Sequence, residues 1–141
     1  MNQSAVLLVA ETPAASSTLA PVVRERGQGR RSRFTLLVPA VAHGLRRVVN
    51  PEDECCDEAE RTVRRLRPSI EAAAGQPISA MIGSHEPLAA IEDALNAQEF
   101  DEIVLATRSS RLARILRFDL ASKVKALGLP VTVVGPRGED V

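Results

Sequence analysis

The chain has no tryptophan, no tyrosine and only three phenylalanines among its 141 residues. So few rings cannot build the aromatic platform on which proteins stack single-stranded bases. Charge of one sign is also lacking, since Lys plus Arg and Asp plus Glu are both 18. With no net field to draw polyanions, neither nucleic acid nor an anionic membrane surface is an expected partner. No apolar run nears the roughly 20 residues that a bilayer-spanning helix needs. The opening MNQSAVLLVAETP lacks the basic region and the apolar length of a secretory signal. A soluble, cytoplasmic protein is expected.

Cysteine is almost absent, and the two present are neighbours, Cys55 and Cys56, in the acidic run EDECCDE. A disulfide needs Cα atoms about 4.4–6.8 Å apart with side chains aimed at each other, which adjacent residues rarely provide. The surrounding carboxylates disfavour a thiolate, so neither cysteine is read as a nucleophile or a metal ligand. Both are read as ordinary helix residues. His43 and His85 have no second His or Cys at ligand spacing, and no metal site is expected. No Ser-His-Asp, Cys-His or HExxH arrangement is visible, so no catalytic residue is assigned.

What is present is a repeated alternation of apolar runs and amphipathic stretches. At this length the whole of 1–141 reads as one domain. Ala5–Ala10, Arg33–Pro39, Ile78–Ile82, Asp101–Ala106 and Val131–Val134 read as five strands, the first apolar throughout and therefore central. Ser16–Arg26 reads as a helix that Pro21 either starts or bends. Asn50-Pro51-Glu52-Asp53 is a strong helix start, with a capping residue, a proline at the first helical position and carboxylates facing the positive end of the dipole. Pro68 is expected to break or kink that helix before it stops at Gly75. A further helix begins near Pro87. Gly27–Ser32 reads as a basic loop, and Glu139–Val141 as a short polar tail.

The most informative stretch is Phe100–Pro136: a buried strand, a polar turn at Thr107–Ser110, a helix and a second buried strand. Leu112, Ile115, Leu116, Leu120, Val124 and Leu127 recur in it at helical spacing. Strands alternating with helices imply a three-layer α/β/α sandwich on a five-stranded parallel sheet. Ligands of such sheets bind at the carboxyl ends of the strands, where the strand order reverses. Glu11 and Ala106–Ser110 would face each other across that point. Arg108, Arg111, Arg114 and Arg117 cluster at the following helix, with Asp119 and Glu102 as candidate neighbours.

At this point the chain resembles a known family. VLLVAETPAAS is similar to the opening strand and turn of the universal stress proteins, and RFTLLVPA to their second strand. IGSHEPLAAIEDAL resembles their Gly-x-x-x-Pro helix start, FDEIVLATRSS their fourth strand and the loop after it, and LGLPVTVVG their closing strand. The resemblance covers nearly the whole chain. It implies an adenine nucleotide alpha-hydrolase-like sheet of order 3-2-1-4-5 and a homodimer paired through the last strand, Val131–Val134. It also implies nucleotide contacts at Glu11, Val38, Gly83, Thr107, Arg108, Ser109, Ser110 and Arg111, with ATP or AMP and magnesium as the ligands.

The sequence departs from the family in one place. Its ATP-binding members carry glycines after the fourth strand, where main-chain amides must approach phosphate closely. Here Ala106 and Ser109 stand at the first two, and no glycine occurs near Arg117–Asp119. The preferred reading is a dimeric stress-response or regulatory binding protein that works through an unidentified protein partner, its nucleotide site modified or lost. The alternative is an ATP- or AMP-binding member with at most weak ATP hydrolysis, using the hydroxyls and arginines of Thr107–Arg111. An ATP-activating enzyme would need a glycine- and serine-rich loop such as SGGxDS after the first strand, and ETPAAS stands there instead. The strand order requires Val131–Val134 to lie beside Ile103–Ala106; a structure that separates them would refute it.

Overall fold

Strands with no polar alternation need cover on both faces, and the sheet of this protein is built around that demand. The computed structural model of the chain describes residues 4–11, 15–27, 32–40, 51–84, 86–106, 122–135 and 138–140. β1 (Ser4–Val9) lies at the centre. It pairs in parallel with β2 (Ser32–Pro39) on one edge, Val9 opposite Leu37. On the other edge it pairs in parallel with β4 (Glu102–Ala106), Val9 opposite Leu105. β3 (Ser79–Gly83) flanks β2. β5 (Val131–Gly135) flanks β4, with Val104 opposite Thr132. The five parallel strands therefore run β3-β2-β1-β4-β5, the expected order.

A sixth strand, β6 (Gly138–Asp140), turns back antiparallel on β5, with Val133 opposite Asp140 and Val134 opposite Glu139. The polar tail expected there is thus partly sheet. Its residues show no apolar alternation, and it is recruited by the open backbone of β5, which a sequence pattern does not reveal.

α1 (Ala15–Gly27) and α2 (Pro51–Ala74) cover one face of the sheet, burying Leu19, Val23, Leu66 and Ile70 against Val6, Leu8, Phe34 and Leu36. α3 (Pro87–Ala97) and the helical residues 122–125 cover the other, with Ala90, Ile91, Ala94 and Val124 against Leu7, Leu37, Ile103 and Leu105. Each fully buried aliphatic side chain contributes on the order of 1.5–3 kcal/mol. Right-handed crossovers explain the division. The chain moves outward one way through α1 and α2, then returns the other way through α3, and so must use the opposite face.

Neither internal proline ends its helix. α1 runs six residues ahead of Pro21, and α2 continues through Pro68 to Ala74. Both prolines are exposed, as is Arg64, whose carbonyl loses its partner to Pro68, so water can replace the missing bond. Leu66 and Ile70, buried on either side of Pro68, hold the helix down. α2 stops where Gly75 takes a positive φ of 71°, the left-handed conformation that favours glycine. Leu127, expected on the inner face with Val124, lies in the turn after the helix and is 40% exposed, because Leu127 N–H and Gly128 N–H bond back to Val124 and Lys125 and tighten the chain.

Polar side chains fasten the amino ends of the strands. Ala5 N–H donates to Asp101 Oδ2 at 2.7 Å, and Asp101 N–H to the Ala5 carbonyl, tying β1 to the start of β4. Arg26 at the end of α1 grips Glu102 with both Nε (3.0 Å) and Nη2 (3.3 Å). Gln76 donates to the Ser32 carbonyl, and Ser32 Oγ to the Arg26 carbonyl. Glu71 Oε2 accepts from Ile78 N–H at 3.0 Å and from Arg67 Nε at 3.3 Å, while Arg67 Nη2 donates to the Ile78 carbonyl. Glu71→Ala would leave a buried amide without an acceptor at the entrance to β3. A loss of about 1–3 kcal/mol in urea unfolding is expected, with faster hydrogen exchange at the Ile78 amide; unchanged exchange there would refute the role.

Candidate functional site

The register places the carboxyl ends of the strands in two rows. One residue beyond Val9, Ala10 stands level with Val38 of β2 and Ala106 of β4, and those in turn pair with Ile82 and Val134. The next row holds Gly83, Pro39 and Glu11 on one side and Gly135 on the other. Strand order reverses between β1 and β4 because the chain leaves β1 toward β2 and leaves β4 toward β5. In such sheets the carboxyl ends of the two strands at that point frame a crevice, and among the described residues no crossover helix spans it.

Of the eight residues expected to form a ligand site, three lie within the described structure. Glu11 is half-buried at the bend that follows β1, at the mouth of the crevice. Val38 lies one row below, level with Ala10, and is fully buried, its side chain part of the core beneath α1 and α2. It can therefore offer a ligand its main chain and not its isopropyl group. Gly83 ends β3, two strands away from the reversal, and its carbonyl accepts from Ala40 N–H at 3.1 Å. A Cβ there would come within 2.7 Å of Ala90 Cβ and 3.1 Å of Leu37 Cδ1. The absence of a side chain at Gly83 is thus explained by α3 lying close against the strand end. Thr107, Arg108, Ser109, Ser110 and Arg111 lie outside the described residues, as do Arg114, Arg117, His43 and His85.

Ala106, standing where the phosphate-cradling pattern has its first glycine, is 6% exposed and ends β4 level with Ala10. For Glu102, expected beside the arginines that follow β4, the structure shows a different partner. Glu102 begins that strand, at the opposite edge of the sheet, and is held there by Arg26. Cys55 and Cys56 fall within α2, as expected. Among the described residues no group of three His, Cys, Asp or Glu side chains could hold a metal ion, and no helix is long and apolar enough to cross a membrane.

A second concavity was not foreseen. A cavity of about 320 Å³ runs between α2 and β3, lined by Glu60, Val63, Arg64 and Arg67 on the helix and by Ala80 and Ile82 on the strand. Its floor is apolar and its rim charged. The only sequence signals were the short, small-residue run SAMIG and the arginines of α2, each of which reads equally well as an ordinary edge strand and a solvated helix face.

No family model and no curated protein sequence matches the chain. Solved structures do match. A universal stress protein from Archaeoglobus fulgidus superposes with a TM-score of 0.68 at 18% identity, covering 95% of this chain and 99% of that one. A structure of the universal stress protein from Archaeoglobus fulgidus in complex with dAMP gives 0.66 at 18% identity, over 94% and 98%. A universal stress protein in complex with cAMP gives 0.54 at 15% identity, over 96% and 99%. At such identities the likeness is one of fold: the chain has the α/β fold of the universal stress proteins.

The contact at Gly83 generates a test. Gly83→Ala forces a methyl against Ala90, whose Cβ is fixed to a helix and cannot swing away. A loss of about 1–3 kcal/mol is expected in urea unfolding, and Ala90→Gly should restore part of it. A fully stable Gly83→Ala protein would mean that α3 is free to move off the strand end.

Proposed function

We propose that the chain is a universal-stress-protein-like cytoplasmic domain that acts as a dimeric stress-response or regulatory binding protein, its nucleotide site modified or lost. The observation that carries this reading is the strand order, which reverses between β1 and β4 beside Glu11 and Ala106. Structures of the same fold are complexes with dAMP and cAMP, which supports an adenine nucleotide as the class of small ligand to test. The modification lies in the phosphate cradle. Where glycine would let amides close on a polyphosphate, Ala106 and Ser109 bring side chains, and Arg117–Asp119 bring no glycine.

The dimer is proposed to pair through the β5 side of the sheet. Val131–Val134 would lie at the centre of that contact, together with the β6 residues that already pair with Val133–Gly135. Val131 and Thr132 lie beyond the residues of β5 that pair with β6 among the described residues, and open strand edges are natural templates for pairing between chains. The second reading, that ATP or AMP is bound with magnesium and slowly hydrolysed, rests on the dAMP and cAMP complexes of the fold. Thr107, Ser109 and Ser110 would then donate hydroxyls to phosphate, and Arg108 and Arg111 would pair with its charge.

Calorimetric titration with ATP and with AMP, magnesium present, separates the readings. No saturable binding of ATP in the micromolar range is expected. Micromolar binding that is lost on Ser109→Asp, which sets a carboxylate against phosphate, would establish the second reading and call for a hydrolysis assay. Sedimentation equilibrium should give the mass of a dimer, and Thr132→Arg, a charge on the pairing edge, should reduce it to that of a monomer. A Thr132→Arg protein that stays dimeric would remove β5 from the interface.

A further inference from the structure

One bond fixes which way the backbone of β5 faces. The Pro130 carbonyl accepts from Ile103 N–H at 3.0 Å, so it points at β4. Amide direction alternates along a strand, and Thr132 and Val134 therefore also turn their N–H and C=O groups to β4. Val131, Val133 and Gly135 turn theirs the other way, to the outer side of β5. β6 meets two of those three, Val133 opposite Asp140 and Gly135 opposite Gly138. These are the hydrogen-bonded pairs of the antiparallel ladder, and Val134 opposite Glu139 is the non-bonded pair between them. The main chains of Gly138 and Asp140 thus face β5, while that of Glu139 faces away from it.

β6 is a slight structure for that position. It is three residues long, at the short limit of strands. Its sequence is Gly-Glu-Asp, all types that strands disfavour. With no apolar residue in that sequence, main-chain pairing is its hold on the sheet. Only residues 136 and 137 separate it from β5, so a released β6 stays beside the edge it left. The dimer proposed above needs the same edge. Two copies of β5 that pair strand to strand would each use Val131, Val133 and Gly135, and with β6 in place Val131 is the one of these three that lies beyond it. β6 and a second copy therefore compete for one set of backbone groups.

We propose that β6 is a displaceable cap on the dimer edge. In the closed chain it pairs with its own β5 and blunts that edge against other strands. Release of β6 from both copies lets the two β5 strands pair, and the displaced β6 residues remain at the rim of the contact. The inference rests on the dimer reading and adds its regulation. Each copy must release β6 before pairing, so the cost of release enters the dimer affinity twice.

Proline at two neighbouring positions provides the test. Asp140→Pro removes an N–H that faces β5 and sets a ring in its place, so β6 detaches. Glu139→Pro removes an N–H that faces away, which an edge strand tolerates. In sedimentation equilibrium of the full chain, Asp140→Pro is expected to dimerise at least about tenfold more tightly than the native sequence. Glu139→Pro should stay within about twofold of native. Adding Thr132→Arg to Asp140→Pro should restore the monomer, which distinguishes β5 pairing from aggregation. In that monomeric background, hydrogen exchange at the Val133 amide should be faster with Asp140→Pro than without it. Equal tightening by both prolines, weaker dimerisation of Asp140→Pro, or unchanged exchange at Val133 would overturn the proposal. A native dimer that Thr132→Arg dissolves and Asp140→Pro leaves unchanged would remove the cap and keep the dimer. A chain monomeric in every form, or dimeric despite Thr132→Arg, would remove the β5 dimer and the cap with it.

Discussion

β1 is buried on both faces and paired on both edges, and the rest of the architecture follows from satisfying that strand. Val6 and Leu8 need one layer of helices, Leu7 and Val9 another. A single chain can supply both layers only by crossing over on one face while it moves outward through β2 and β3. It then returns on the opposite face to reach β4 and β5. The handedness of the crossovers admits no other division of the helices. The switch point between β1 and β4 is a by-product of the same rule, since it is the place where the chain departs in both directions.

The two ends of the sheet are treated differently. At the amino edge the described polar side chains are spent on holding strands together: Asp101 on Ala5, Arg26 on Glu102, Gln76 on Ser32, Glu71 and Arg67 on Ile78. These are bonds to fixed backbone or between partly buried charges, and they keep the starts of four strands in register. At the carboxyl edge Ala10, Gly83, Ala106 and Gly135 are interspersed with Val38, Ile82 and Val134. Side-chain bulk is withheld at Gly83, where α3 lies close against the strand end.

Much of this was legible in the residues. The unalternating runs AVLLV, FTLLVP and IVLA announced buried strands, and Pro87 and Asn50-Pro51 announced helix starts, because burial on two faces and helix initiation are local demands that residue type answers directly. The long-range features were not legible. Pro21 and Pro68 looked like breakers, yet both fall on exposed helix faces where water replaces the lost bond. β6 has no strand-forming pattern and exists because β5 presents an open edge. Glu102 looked available to the arginines after β4 until the direction of that strand put it at the other end of the sheet, beside Arg26. The groove at β3 depends on how α2 lies beside that strand, and no composition records that.

Residue order alone determined the succession of strands and helices, the central place of β1, and the lack of aromatic platforms and of net charge. Each of these is a property of single residues or of short-range periodicity. Only the tertiary structure decided that a helix packed against Gly83 leaves no room for a side chain there, that Val38 turns its side chain into the core, and that β6 pairs with β5 while, among the described residues, no strand pairs with the outer edge of β3. Those outcomes depend on the distances and directions of groups far apart in the chain, which are set when the two helical layers close over β1.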